Sequence, residues 1–216
     1  MFIFPSPHSQ NIQELATLFK QLDPHCSGYH IDIMDGSFVP KTMGSVELTN
    51  QIAQLTTKRL WVHLMVNNPL EFMSQLKLRS QDIVSVHYQT LDGKFEQFIA
   101  QAKKQQLQPS LAISPDISTK EIFPLCRLFE HILIMSVQPG AAGQKFLNNT
   151  LLKIETLVAC RAGQEISLTI AVDGGINLKN IQKVFGSGAS NVAVTTAIFD
   201  TPDPVKALEA LKSVIL

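Results

Sequence analysis

Short runs of Ile, Val and Leu recur along the chain, each followed by a longer stretch in which apolar and polar residues are spaced as on a helix. Eight runs have this character: Phe2 to Ser6, Tyr29 to Met34, Leu60 to Met65, Ile83 to Tyr88, Ser110 to Ser114, His131 to Val137, Leu168 to Gly174 and Asn191 to Ala197. Helices are expected over Ile12 to Leu22, Lys94 to Gln106, Thr150 to Cys160 and Pro204 to Ile215, with a further one opening at Asn177. Strands that alternate with helices build a parallel sheet covered by those helices. Eight units in 216 residues leave about 27 residues each, enough for a strand, a helix and two short loops. The expected fold is therefore α/β, a closed (β/α)8 TIM barrel near its lower size limit, with an open doubly wound sheet as the alternative. No linker-like or low-complexity tract interrupts the rhythm, so one domain over 1–216 is expected.

Composition narrows the partners. A 45% hydrophobic, 17% charged chain is globular, and 18 basic against 18 acidic residues leave no net charge to hold nucleic acid or an anionic membrane. Any anion must be bound locally. Cys26, Cys126 and Cys160 are odd in number and form no C-x-x-C pair, which points to a reducing compartment and away from a disulfide framework or a zinc knot. The opening MFIF is too short for a signal peptide and no apolar stretch approaches the roughly 20 residues of a membrane helix, so a cytoplasmic location is expected.

Polar residues inside the apolar runs carry the chemistry: His30 and Asp32 in the second run, His63 in the third, His87 in the fourth and Asp173 in the seventh. Any one histidine alone reads as an ordinary hydrogen-bonded core residue. Several together read as a site, because apolar strands do not bury such groups without partners. Residues i and i+2 of a strand share a face, so His30 and Asp32 point the same way, and in a barrel that way can be the interior. Two imidazoles and two carboxylates at one barrel mouth suit a divalent first-row ion, with zinc, manganese, iron and cobalt all open. The segments from Gln138 to Phe146, Asp173 to Asn177 and Thr195 to Phe199 follow the late strands, where barrels hold phosphate on exposed backbone N–H groups. Each of these segments taken singly is also compatible with a plain tight turn.

The order of motifs is more specific than any one of them. His30-Ile31-Asp32-Ile33-Met34-Asp35-Gly36 with Phe38-Val39-Pro40, then Val62-His63-Leu64-Met65, Val86-His87, Pro139-Gly140, Gly143-Gln144-Lys145-Phe146 and Val172-Asp173-Gly174-Gly175-Ile176-Asn177 together resemble the ribulose-phosphate 3-epimerase family over nearly the whole chain. The resemblance implies a barrel that inverts carbon 3 of a ketose phosphate, D-ribulose 5-phosphate or a close hexulose phosphate, through an enediolate. It implies one divalent metal ion per subunit held by His30, Asp32, His63 and Asp173, with Asp32 and Asp173 also the acid-base pair. It places Ser6, Met34, Met65, Met135, Gly140, Gly143, Gly174, Gly175, Thr195 and Thr196 at the substrate, and it implies a homo-oligomer, a dimer or larger. Asp35 faces away from Asp32 and is expected to cap the following loop.

Departures from the family pattern gather at the substrate side. Lys41 stands where Asn is usual and the loop to Gly44 is one residue shorter, Pro7 and His8 replace an apolar pair, Ala141 and Ala142 stand in the loop after Gly140, and Gln89 replaces a frequent Glu. Thr195 and Thr196 occupy a Gly-Ser pair; glycine would approach an anion closely and take positive φ freely, so Thr195 is expected to narrow the pocket. A catalytically weak or inactive sugar-phosphate-binding barrel is the alternative that these changes suggest. A decarboxylase or aldolase on the same architecture is disfavoured, because Ile33 and Met34 follow Asp32 and no strand supplies a lysine.

Overall fold

A strand with unlike surroundings on its two faces must alternate in character, and the apolar runs do so in phase with one another. The computed structural model describes residues 1–215. Its strands are β1 (Phe2–Pro5), β2 (Gly28–Asp35), β3 (Thr42–Met43), β4 (Arg59–Met65), β5 (Ile83–His87), β6 (Gln108–Ile113), β7 (His131–Met135), β8 (Thr169–Asp173) and β9 (Asn191–Val194). The two-residue β3 pairs antiparallel with β2, and the other eight form parallel ladders in the order β1-β9-β8-β7-β6-β5-β4-β2. β1 and β2 pack side by side at the remaining seam and close a (β/α)8 barrel. Gly28 leaves room for the strands on both sides of it, because a Cβ there would collide with the Arg59 carbonyl of β4 and stand 2.7 Å from Cε1 of Phe4 in β1.

The outward positions are aliphatic: Ile31 and Ile33, Val62 and Leu64, Val84 and Val86, Ile132 and Ile134, Ile170 and Val172 all join one buried layer with Leu15, Phe19, Ile52, Phe98, Ile154 and Leu208 of the surrounding helices. Burying each large side chain of this layer contributes about 1.5–3 kcal/mol. Inward positions are different in kind. Phe4 and Trp61 fill the barrel floor with Leu133, and the small side chains of Ala112, Ala171 and Ala193 make room for the large rings. Among them runs a buried polar chain. Trp61 Nε1–H donates to Ser85 Oγ at 2.7 Å, Ser85 donates to Ser110 Oγ at 2.7 Å, and the His131 ring lies 2.8 Å from Ser110 Oγ and 3.3 Å from the Asn191 amide.

Helix ends follow local chemistry. Asn11 caps Ile12–Leu22 by accepting from the N–H groups of Gln13 and Glu14, and Asp203 caps Pro204–Ser213 by accepting from Lys206 N–H. The helices expected from Lys94 and Thr150 are Phe95–Lys104 and Asn149–Gln164. Three expectations need correction. The helix expected at Asn177 begins at Ile181, because Asn180 Oδ1 accepts from Asn177 N–H at 2.8 Å and holds the intervening residues in a turn. The strand expected through Ala197 stops at Val194 and gives way to the helix Thr196–Phe199. Tyr88 leaves its strand to start the helix Tyr88–Leu91. The helices Val46–Leu55 and Pro69–Gln75 are not among those expected from the sequence.

Candidate active site

The pleat of β2 sends His30 and Asp32 into the barrel, and β4 and β8 bring His63 and Asp173 to meet them at the C-terminal ends of the strands. His30 Nε2 lies 3.1 Å from Asp32 Oδ1 and 3.8 Å from Asp173 Oδ2; His63 Nδ1 lies 3.2 Å and 3.8 Å from the same two oxygens. One donor atom from each residue falls within 4.8 Å of the others. Both imidazoles are fully buried, while the two carboxylates keep 13% side-chain exposure toward the cavity above. Despite its short distance to Asp32, His63 Nδ1 makes no hydrogen bond to it or to any other described residue. A buried nitrogen left this way is costly unless its lone pair has a use.

The donor set fits a divalent first-row ion. Two imidazole nitrogens and two carboxylates match its ligand preferences, and separations of 3.1 to 3.8 Å approach the roughly 3.0–3.4 Å between neighbouring donors around one ion with bonds of about 2.0–2.2 Å. The unpaired Nδ1 of His63 is the nitrogen aimed into the group.

Protonation is unequal across the cluster. Burial opposes ionisation of Asp32, but the His30 charge, the hydrogen bond from His30 and the adjacent His63 ring together outweigh it and hold this carboxyl below the ordinary carboxylate range. At Asp173 burial prevails, reinforced by the Asp32 charge against His30 and His63, and the carboxyl is raised. Two carboxyls driven apart in this way are suited to opposite roles in proton transfer. Burial tends to discharge His30, yet Asp32 and then Asp173 raise it. His87 is held well below the ordinary imidazole value by burial, then by the His63 charge.

Above the cluster opens a cavity of about 480 Å3. It is lined by Asp32 and Asp173, by Ser6, by the thioethers of Met34, Met65 and Met135, by Gly140, Gly143, Gly174 and Gly175, and by Thr195 and Thr196, so the structure brings the expected substrate residues to one space. Gly175 has φ +63° and sits so close to the preceding loop that a Cβ would meet Gln144 O and Phe146 N at 2.8 Å. Thr195 corrects one expectation: its φ is −106°, so the backbone there needs no glycine and only the bulk of the side chain is at issue. Asp35 turns away and caps the loop, accepting from Ser37 N–H at 2.8 Å, Phe38 N–H at 2.9 Å and Asn67 N–H at 2.9 Å.

Sequence reasoning passed over Gln10 and Asp200, which also line the cavity, and singled out His87 without giving it a partner; its Nε2 lies 2.9 Å from His63 Nε2. The signal for His87 was present: its register beside Ala112 and one strand from His63 puts it on the inward face.

Residues 2–199 match the ribulose-phosphate 3 epimerase family. The ribulose-phosphate 3-epimerase of Helicobacter pylori is 32% identical over 218 aligned positions covering 99% of this chain and 98% of that one. The ribulose-phosphate 3-epimerase of Synechocystis is 29% identical, covering 98% and 93%. Among solved structures, 3-hexulose-6-phosphate synthase from Salmonella typhimurium superposes with a TM-score of 0.70 at 16% identity, covering 100% of this chain and 98% of that one, a likeness of fold. Among the described residues no helix is long and apolar enough to cross a membrane.

Proposed function

Since the chain belongs to the ribulose-phosphate 3-epimerase family and is an isomerase of carbohydrates, we propose that it inverts carbon 3 of D-ribulose 5-phosphate, or of a close hexulose phosphate, by proton transfer between two aspartates. The observation that carries this reading is the convergence of Asp32 and Asp173, from strands separated around the barrel by β1 and β9, on the floor of one cavity. Inversion next to a carbonyl requires removing a weakly acidic C–H proton from one face and returning a proton to the other. One carboxylate takes the proton from carbon 3, the enediolate forms, and the other carboxyl delivers a proton to the opposite face. Met34, Met65 and Met135 surround the reacting carbons with apolar thioethers and keep water from competing for the proton. His30, Asp32, His63 and Asp173 would hold a divalent ion of the zinc, manganese, iron or cobalt class. Such an ion supplies Lewis acidity toward negative charge developing on the oxygens beside carbon 3.

The phosphate of the substrate belongs at the late loops. The N–H groups of Gly143, Gly175 and Thr196 donate to no acceptor among the described residues and border the same cavity. Thr195 crowds this cradle with a branched side chain, while Thr196 keeps a hydroxyl donor. The double variant Thr195→Gly, Thr196→Ser is expected to lower KM for the phosphorylated ketose and leave kcat nearly unchanged, the pattern of added uniform binding. Steady-state kinetics check this; an unchanged KM places the phosphate elsewhere.

A coupled epimerase assay with D-ribulose 5-phosphate and with D-allulose 6-phosphate, run after reconstitution with each of the four metals, tests the reaction and ranks the substrates together. Turnover of D-ribulose 5-phosphate that falls away in chelator and returns with metal is the expected result. No turnover of either sugar phosphate in any metal form removes the epimerase reading.

A further inference from the structure

His87 is fully buried, lies on the inward face of β5, and takes no part in the proton transfer described above. On the reading that His63 is a metal ligand, we propose that His87 is its positioning residue, accepting the His63 Nε2 proton and so leaving the Nδ1 lone pair aimed between Asp32 and Asp173. A neutral imidazole carries one proton, so the nitrogen that bears it fixes which one can ligate. Were the His63 proton on Nδ1, it would be buried with no acceptor in hydrogen-bonding geometry, although Asp32 Oδ1 is only 3.2 Å away. Placed on Nε2, the proton meets His87 Nε2 at 2.9 Å.

The rest of the chain is consistent with that direction. With its Nε2 accepting, His87 carries its own proton on Nδ1, which lies 3.3 Å from Ser114 Oγ and donates to it. Ser114 is itself anchored: Lys153 Nζ, from the helix Asn149–Gln164, donates to the carbonyls of Ser114 at 3.1 Å, Pro115 at 2.7 Å and Ile117 at 2.6 Å. Phe38 closes over the other side of the His87 ring, with centroids 4.5 Å apart. A ligand imidazole whose outer N–H is held by a fixed acceptor keeps its ring orientation and is the better donor.

Two substitutions test this in the full-length protein. His87→Leu removes the acceptor while keeping an apolar side chain in the barrel; His87→Gln restores an acceptor oxygen for the His63 N–H. Zinc affinity, measured by competition with a chromogenic chelator, is expected to fall about 10- to 100-fold in H87L and to recover for the most part in H87Q. Cooperative thermal unfolding of both metal-free variants shows that each barrel is folded when its affinity is read, and H87L, which strands the buried His63 N–H, is expected to melt below H87Q. Wild-type affinity in H87L, or equal weakening in both variants, overturns the role of His87 alone. Failure of the unmodified protein to bind zinc stoichiometrically overturns the metal reading and this inference with it.

Discussion

Asp173→Asn and Asp32→Asn should each reduce epimerisation by about 10²- to 10⁴-fold, the range that a positioned general acid or base contributes. Asparagine keeps the shape and one acceptor oxygen of the side chain and removes its capacity to take up a proton. Because both residues also belong to the donor cluster, metal content must be measured alongside turnover, and the comparison made at matched occupancy. Exchange of the carbon 3 hydrogen with solvent deuterium then separates the two aspartates, since each variant loses proton transfer at one face of the substrate. A variant that retains its metal and turns over at the full rate takes that aspartate out of the acid-base pair.

Acid is expected to destabilise this protein through His131, a residue remote from proton transfer. Its folded-state pKa is pushed down to about 3 by burial, then by the charges of Arg59 and His30. An unfolded chain offers an ordinary imidazole near 6.5, roughly. Above that pH both states are neutral and His131 has no effect on the balance. Below it the unfolded chain takes up a proton that the folded chain refuses, so stability falls by about 1.4 kcal/mol per pH unit until the folded value is reached. At pH 4.5 the loss amounts to about 2–3 kcal/mol. His131→Gln cannot protonate in this range and should escape that part of the loss. Urea unfolding of both proteins at pH 7 and pH 4.5 reads the difference directly, and equal losses would mean that His131 charges within the folded barrel.

Much of the architecture was legible because the two faces of each strand differ so sharply. Runs such as Ile31, Ile33 and Val62, Leu64 face a continuous helical shell, and that alternation is a local property visible in a single run. His30, Asp32, His63 and Asp173 stood out for the same reason, as polar residues in apolar strands that need partners. What escaped depends on register between strands. His131 and Ser110 looked like strand ends until the ladders placed them beside Ser85 and Asn191 in one buried chain, and His87 acquired a partner only when β5 was set against β4. Short helices escaped as well: Pro69–Gln75 is seven residues long, too little for a 3.6-residue period to declare itself.

The in-phase alternation ties the integrity of the site to that of the shell. A strand displaced by one residue turns every side chain to the opposite face, so a slip of β2 would thrust His30 and Asp32 among the aliphatic residues under the helices and bring Ile31 and Ile33 to the barrel centre. The same holds for His63 between Val62 and Leu64, and for Asp173 beside Val172. Misregistered barrels are therefore penalised twice, by charged groups stranded in hydrocarbon and by the loss of the cluster itself. Strand alignment has in this chain a built-in error check, in which the residues that do the chemistry are also the ones that make a wrong pairing untenable.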